Sequence, residues 1–99
     1  MNLIVGVGDM KVSNNAGIVL ATYSLGSCIG IAVFDPVIKV GGLLHYMLPE
    51  SSLDGTKAAS NPFMFADTGI PRLFKSVYEL GGAKSRMRVI MVGGSKVLD

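Results

Sequence analysis

The sequence predicts an α/β domain with much antiparallel or mixed β-sheet, and three observations favour that fold class. Apolar residues make up 49% of the 99 residues and charged residues only 16%, below the usual charged share of about 25%. The apolar residues fall in short runs separated by Gly, Pro, Asp and Ser, which is typical of buried strands. One later stretch instead has the periodicity of an amphipathic helix.

The predicted strands follow one another with short turns between them. They cover residues 3–7, 10–12, 18–23, 29–34, 40–47 and 86–92. Gly6-Val7-Gly8 begins like a dinucleotide-binding fingerprint, but position 11 is Lys and no helix follows, so a tight turn is favoured. Pro49 ends the fifth run, because proline cannot donate a hydrogen bond to a neighbouring strand.

Residues 50–63 are small and polar and are predicted to form a long surface loop. Loops of this length are uncommon in compact domains and are often functional lids. An ordinary variable loop is the other interpretation, and the sequence alone leaves both open.

One helix is predicted after this loop. Asp67 or Thr68 is expected to cap its start, with Pro71 in its first turn. Gly81 and Gly82 follow its last apolar residue, which is typical of a helix end. The apolar face repeats at i, i+3, i+4, i+7 and i+10 through Ile70, Leu73, Phe74, Val77 and Leu80.

Composition excludes several classes of protein. The net charge is +2, from nine Lys or Arg and seven Asp or Glu, and the charges are scattered, which disfavours nucleic-acid binding. One cysteine excludes an intrachain disulfide framework and a multi-cysteine metal site, and a lone thiol fits a reducing compartment.

Residues 17–34 carry no charge and are almost long enough to span a bilayer. Small and polar residues at their centre favour two buried strands around a tight turn. No charged segment precedes the first apolar run, so a signal peptide is not expected. The sequence therefore predicts a cytoplasmic protein without membrane insertion.

The apolar strands exceed what one helix can cover. A single helix cannot bury both faces of four or five apolar strands. The sequence therefore predicts that a partner covers the remainder, or that the chain is part of a longer protein.

Cys28 and His45 are the residues best suited to catalysis. Cys28 follows the small residues Gly26 and Ser27, so its thiol can lie at a turn where backbone N–H groups reach an oxyanion. His45 is the one histidine, on an apolar strand, and as a base it would favour the thiolate. Taken singly, each residue type favours an ordinary buried role; together they are the minimal set for cysteine acyl transfer.

Two further residues are candidates for a supporting role. Thr22 lies near the end of the strand before Cys28, where its hydroxyl can orient the imidazole or bind substrate. A β-branched strand residue without catalytic role is the alternative. Asp67 can serve as a third group, although its position at a helix start favours capping. A metal site from Cys28, His45 and Asp67 is disfavoured, because their spacing matches no known ligand pattern.

Several segments together resemble the bacterial chemoreceptor glutamine deamidase family, CheD. The combination of Gly26-Ser27-Cys28 with the run from His45 to Pro49 is more specific than either segment alone. The resemblance extends over essentially the whole chain. Its further segments are Val5-Gly6-Val7-Gly8, the strand over residues 17–23, Gly42-Leu43-Leu44, Phe65-Ala66-Asp67-Thr68 and Gly93-Gly94.

The resemblance implies a set of functional expectations. It assigns the nucleophile to Cys28, the general base to His45 and the third active-site residue to Thr22. It implies stacked β-sheets flanked by helices, similar to bacterial toxin-type cysteine deamidases. The implied substrates are glutamine side chains of methyl-accepting chemotaxis receptors, the implied partner is a CheC-type phosphatase, and no metal or cofactor is required.

The resemblance also implies a longer domain than this chain. Residues 1–99 are expected to be the N-terminal portion of a single deamidase domain. Two alternatives remain: a non-catalytic module that binds chemotaxis partners, and a cysteine amidase or thioesterase that acts on small molecules.

Overall fold

A computed structural model describes residues 2–15, 17–23 and 28–93. Its six strands are β1 (Asn2–Ile4), β2 (Asp9–Ser13), β3 (Val19–Ala21), β4 (Ile29–Asp35), β5 (Val40–Tyr46) and β6 (Arg88–Gly93). Its two α-helices are α1 (Gly55–Ser60) and α2 (Ala66–Glu79). Short 3₁₀ helices cover Ser51–Leu53, Pro62–Met64 and Lys84–Arg86.

The strands form two sheets, which confirms the predicted mixed α/β class. One sheet has four antiparallel strands in the order β2-β5-β4-β6. The other, hereafter the small sheet, pairs β1 with β3 in parallel. The uncharged stretch over residues 17–34 contributes β3 and the first six residues of β4, so the two predicted strands are confirmed, although β3 is not buried. The expected turn at residues 24–27 lies outside the described residues. No helix in the described ranges is long and apolar enough to cross a membrane.

Helix α2 packs on one face of the four-stranded sheet. Its buried residues Gly69, Leu73 and Val77 are spaced four apart and so lie on one side of the helix. Gly42 of β5 allows this close approach, because a Cβ atom there would lie 2.8 Å from Leu73 Cδ1. The resulting core contains Ile31, Val33, Val40, Leu44, Tyr46, Leu73 and Val77.

The opposite face of the four-stranded sheet points toward the small sheet. Side chains alternate between the two faces of a strand, so Leu44 and Tyr46 face α2 whereas Leu43 and His45 face away from it. On β4 the same alternation turns Gly30 away from α2, because Gly30 is paired with His45. The candidate catalytic residues therefore belong to the layer between the two sheets.

Helix α2 ends as predicted but begins differently. Gly81 has a φ of +104°, and the N–H groups of Gly81 and Gly82 bond to the carbonyls of Tyr78 and Val77, which is a Schellman motif. At the start, the cap residue is Phe65, and its side chain makes no capping bond. The predicted cap at Asp67 or Thr68 is therefore wrong, and Pro71 lies inside the helix instead of in its first turn.

The predicted loop over residues 50–63 is also wrong, because this segment forms short helices. Asp54 caps α1 by accepting a hydrogen bond from Lys57 N–H at 3.0 Å. Asn61 caps the next 3₁₀ helix through Phe63 N–H at 3.0 Å. The polar residues that indicated a loop are thus the caps of helices too short to produce an apolar periodicity.

An ion pair between a buried carboxylate and a partly exposed arginine joins the end of β4 to the segment before β6. Asp35 is fully buried, and its carboxylate accepts from Arg86 Nη2 at 2.7 Å and from Ala83 N–H at 2.9 Å. The hydrogen bonds from Arg86 hold the pKa of Asp35 well below its usual range. The ion pair attaches the 3₁₀ helix Lys84–Arg86, which lies just before β6, to the end of β4.

Strand β6 carries uncovered apolar surface, as the excess of predicted apolar strands over helices indicated. It lies at the edge of its sheet. All six of its residues are exposed, and Val89, Ile90, Met91 and Val92 are each between 47% and 56% exposed.

Candidate active site

His45 lies at the centre of the four-stranded sheet, where neighbours on both sides fix its backbone. It is paired with Gly30 of β4 and with Asp9 of β2. Its carbonyl accepts from Gly8 N–H at 2.8 Å. Its side chain is fully buried, as the apolar residues around it in the sequence predicted.

Thr22 is brought directly to His45, although the two residues are 23 positions apart. Its hydroxyl oxygen lies 2.9 Å from His45 Nδ1. The same oxygen lies 2.5 Å from the Val5 carbonyl oxygen. A carbonyl only accepts, so Thr22 donates its single hydroxyl proton to Val5.

That assignment determines the tautomer of His45. Thr22 Oγ1 has no second proton to give, so it accepts a hydrogen bond from Nδ1–H of His45. In the neutral ring Nε2 then carries the lone pair. The Val5 carbonyl, Thr22 and His45 form a short relay that leaves Nε2 as the basic nitrogen.

Nε2 of His45 is available to act as a base. It is buried, and it has no hydrogen-bond partner within the described residues. Buried polar atoms are usually paired, and an exception requires an explanation. Burial lowers the pKa of His45 below its ordinary value of 6.5, so the ring is neutral at pH 7. An unpaired basic nitrogen in this position can accept a proton from a nucleophile.

Cys28 lies at a bend immediately before β4, with its thiol free and partly exposed. His45 is opposite Gly30, so a continuation of this register by two residues would place Cys28 diagonal to His45. Diagonal neighbours on one face are about 7–8 Å apart at the backbone, within reach of long side chains. Gly30 has no side chain to block the space between them.

No hydrogen bond joins the thiol to the imidazole. Within the described residues Nε2 accepts no hydrogen bond from Cys28. Catalytic hydrogen bonds are often loose before substrate binds and tighten in the complex. Gly26 and Ser27, which the sequence predicted as the small residues beside the thiol, lie outside the described residues.

Asp67 does not join this group. Its carboxylate accepts from the backbone N–H of Ser51 at 2.9 Å and from the Ser51 hydroxyl at 2.8 Å. These hydrogen bonds lower the pKa of Asp67. Its role is to attach the 3₁₀ helix Ser51–Leu53 to the first turn of α2, so the suggestion that Asp67 is a third catalytic group finds no support in these contacts.

Sequence reasoning missed the residues that support the site through their backbones. Gly8 forms the predicted turn with a φ of +70°, and its N–H binds the His45 carbonyl. Asn61 donates its side-chain amide to the Gly8 carbonyl at 2.8 Å. Val5 contributes only a carbonyl, which every residue has, so no sequence signal indicates its role.

Comparison with known proteins places the chain in a family. A family model described as CheD chemotactic sensory transduction matches residues 47–99, more than half of the chain. The chain belongs to the CheD family. The matched region begins two positions after His45, so this match does not itself include Thr22, Cys28 or His45.

CheD relatives match almost all of the chain. A protein of Syntrophus aciditrophicus named probable chemoreceptor glutamine deamidase CheD 1 is 59% identical over 98 residues, covering 99% of this chain and 61% of the relative. Probable chemoreceptor glutamine deamidases CheD of Solibacter usitatus and Pyrococcus horikoshii are 47% and 45% identical, over 98% and 96% of this chain. Each of these two matches covers 57% of the relative. The chain thus spans about three fifths of the length of these CheD proteins.

Proposed function

We propose that this chain carries the catalytic residues of a protein-glutamine deamidase that converts glutamine side chains of methyl-accepting chemotaxis receptors to glutamate. The main support is the state of His45: Thr22 occupies Nδ1, while Nε2 is buried and has no partner within the described residues. Cys28 lies at the bend immediately before β4, the strand that pairs with the strand of His45. The substrate class comes from the names of the relatives.

In the proposed reaction, Cys28 is the nucleophile and His45 the general base. Nε2 takes the thiol proton, and the thiolate attacks the carbon of the glutamine carboxamide. The C–N bond then breaks, and the imidazolium gives its proton to the departing nitrogen, which leaves as ammonia. The product of this half-reaction is a thioester between Cys28 and the substrate.

Water completes the cycle. His45 removes a proton from water, which attacks the thioester carbon and releases glutamate. The sulfur regains its proton from the imidazolium. Each cycle consumes one water molecule, releases one ammonia molecule and gives the receptor one negative charge. Neither a metal nor a cofactor takes part.

Thr22 stabilises the charged intermediate of this cycle. When Nε2 takes the proton, the ring becomes an imidazolium, and its Nδ1–H continues to donate to Thr22. A hydrogen bond from a charged group is about twice as strong as a neutral one. The hydrogen bond between His45 and Thr22 therefore strengthens during catalysis. A separate group must stabilise the oxyanion of the substrate, and the backbone N–H of Cys28 is our candidate donor.

The proposal includes a cellular setting. We infer a cytoplasmic location, with substrate glutamines in the cytoplasmic part of the receptor. The family resemblance supports a CheC-type phosphatase as a second partner. Residues 1–99 then form the N-terminal portion of one deamidase domain.

Release of ammonia from a receptor cytoplasmic fragment tests the reaction. Wild-type chain, Cys28→Ala and His45→Ala are compared, and mass spectrometry locates any glutamine converted to glutamate. We expect conversion by wild type and none above background by either variant. Circular dichroism of all three proteins confirms that they are equally folded.

The same assay distinguishes the other two functions. A small-molecule amidase would hydrolyse a blocked glutamine amide faster than the receptor fragment. A binding module would retain the receptor fragment after Cys28→Ala while wild type releases no ammonia. A folded wild-type chain that leaves the receptor glutamines unchanged would contradict the proposal.

A further inference from the structure

The hydrogen bond between Thr22 and His45 joins two separate sheets. His45 is in the four-stranded sheet, whereas Thr22 directly follows β3 of the small sheet. Val5, which accepts the proton of Thr22, directly follows β1 and bonds through its N–H to the Ala21 carbonyl at 2.8 Å. No strand of one sheet pairs with a strand of the other among the described elements. The distance from Thr22 to His45 therefore depends on how the small sheet is held.

Lys11 makes a second hydrogen bond between the two sheets. Lys11 is opposite Leu43 in the β2–β5 pair, so its side chain projects from the same face of the sheet as His45. Its Nζ donates to the carbonyl of Ile4 in β1 at 3.0 Å. Ile4 is the residue before Val5, so Lys11 binds the small sheet one residue from the acceptor of the Thr22 hydroxyl.

Asp9 fixes the direction of Lys11. Its carboxylate pairs with Lys11 Nζ and also accepts from Met10 N–H at 2.7 Å. Asp9 is directly opposite His45 in the β2–β5 pair. The lysine side chain is 35% exposed, and an exposed ion pair contributes little to overall stability. A lysine held by two acceptors on different strands is better explained by positioning.

We infer that Lys11, oriented by Asp9, is a positioning residue that holds the small sheet so that Thr22 stays on Nδ1 of His45. Lys11 does not touch the reacting atoms. Without it the small sheet moves more freely, the Thr22–His45 distance varies, and the fraction of His45 in the Nδ1–H tautomer falls. The activity measurements below depend on the proposed deamidase function, whereas the tautomer measurement does not.

Nitrogen-15 NMR of the imidazole measures the tautomer directly. His45 is the one histidine of the chain, so both imidazole nitrogen signals belong to it, and their couplings to the ring C–H protons distinguish Nδ1 from Nε2. Lys11→Met keeps the aliphatic stem and removes the donor. Lys57→Met, at an exposed position of α1, is the matched control, and Lys11→Arg restores a donor.

We expect wild type, Lys57→Met and Lys11→Arg to have the Nδ1–H tautomer, and Lys11→Met to have a mixture of tautomers. If Lys11→Met fails to fold, Asp9→Asn, which removes the charge that orients Nζ, is measured in its place, with the same shift expected in smaller degree. A folded Lys11→Met chain with an unchanged Nδ1–H tautomer would overturn the inference.

Activity on the receptor fragment provides a second readout. Lys11→Met is expected to lower kcat about fivefold, with KM within about twofold of wild type, because positioning acts on the transition state. In a Thr22→Val background the same substitution is expected to change kcat by less than about twofold, because coupled residues are not additive. A full additional loss there would mean that Lys11 acts independently of Thr22. If wild type releases no ammonia, the deamidase proposal fails, and the NMR result alone decides the role of Lys11.

Discussion

Replacing Thr22 with valine tests the hydrogen-bond relay at its central atom. Valine has nearly the same shape as threonine but has no hydroxyl, so the substitution removes the 2.9 Å contact to His45 and the 2.5 Å contact to Val5 together. Nδ1–H of the buried imidazole and the Val5 carbonyl then lose their partner. Thr22→Ser is the matched control, because it keeps the hydroxyl and removes only a methyl group.

The expected loss of activity follows from the charge that His45 acquires. A hydrogen bond to a charged group contributes about 1.5–3 kcal/mol, and 1.4 kcal/mol corresponds to tenfold in rate. Thr22→Val is therefore expected to lower kcat on the receptor fragment roughly 10- to 100-fold. Thr22→Ser should stay within about threefold of wild type, because it retains the hydrogen bond.

The pH profile gives a second, independent result for the same variant. Thr22 accepts from Nδ1–H and so favours the imidazolium; without it, the pKa of His45, already lowered by burial, falls further. The acid limb of kcat/KM then moves to lower pH in Thr22→Val. Wild-type kcat in Thr22→Val, or an acid limb that moves to higher pH, would refute the relay.

Three further predictions concern the framework around the site. Leu73→Ala empties a fully buried position between α2 and the sheet and should lower the free energy of unfolding by about 2–5 kcal/mol in urea titrations; a loss below about 1 kcal/mol would contradict this packing. Gly8→Ala places a Cβ atom 2.5 Å from Met64 Sδ, at a backbone φ of +70°, so it should reduce both the stability of the fold and kcat. In the control Gly55→Ala, the new Cβ atom meets no atom within 4 Å, so kcat should be unchanged. The pKa of Asp35 is lowered in the folded chain, so its carboxylate stabilises the fold at pH values above its ordinary pKa of 3.8, and this stabilisation is lost as the pH falls below 3.8 toward the lowered pKa. Arg86→Met should weaken this pH dependence in acid titrations followed by circular dichroism. An unchanged titration would argue against the ion pair.

The strands and the residue types of the site were predictable because they follow local rules. Short apolar runs ended by Asp35-Pro36 and by Pro49 predict β4 and β5 within one residue of their observed ends. The helical periodicity predicts α2, and two glycines predict its end. The burial of His45 follows from its apolar neighbours along the strand.

Long-range pairing was the part that local rules could not supply. The parallel pairing of β1 with β3 brings Val5 beside Thr22, and neither residue has a feature that indicates the other. The short helices between residues 51 and 64 depend on caps at Asp54 and Asn61, whose residue types are equally common in loops. Lys11 has the appearance of an ordinary surface charge until its contact with Ile4 is known.

Identification of the acylated residue shows directly whether Cys28 is the nucleophile. The chain is mixed with a glutamine-containing receptor fragment, quenched rapidly in acid, digested and mapped by mass spectrometry. We expect a transient adduct on Cys28, with the mass of the substrate less ammonia, and neither adduct nor glutamate formation in Cys28→Ala. Glutamate formation by Cys28→Ala at the wild-type rate, or an adduct on any other residue, would contradict it.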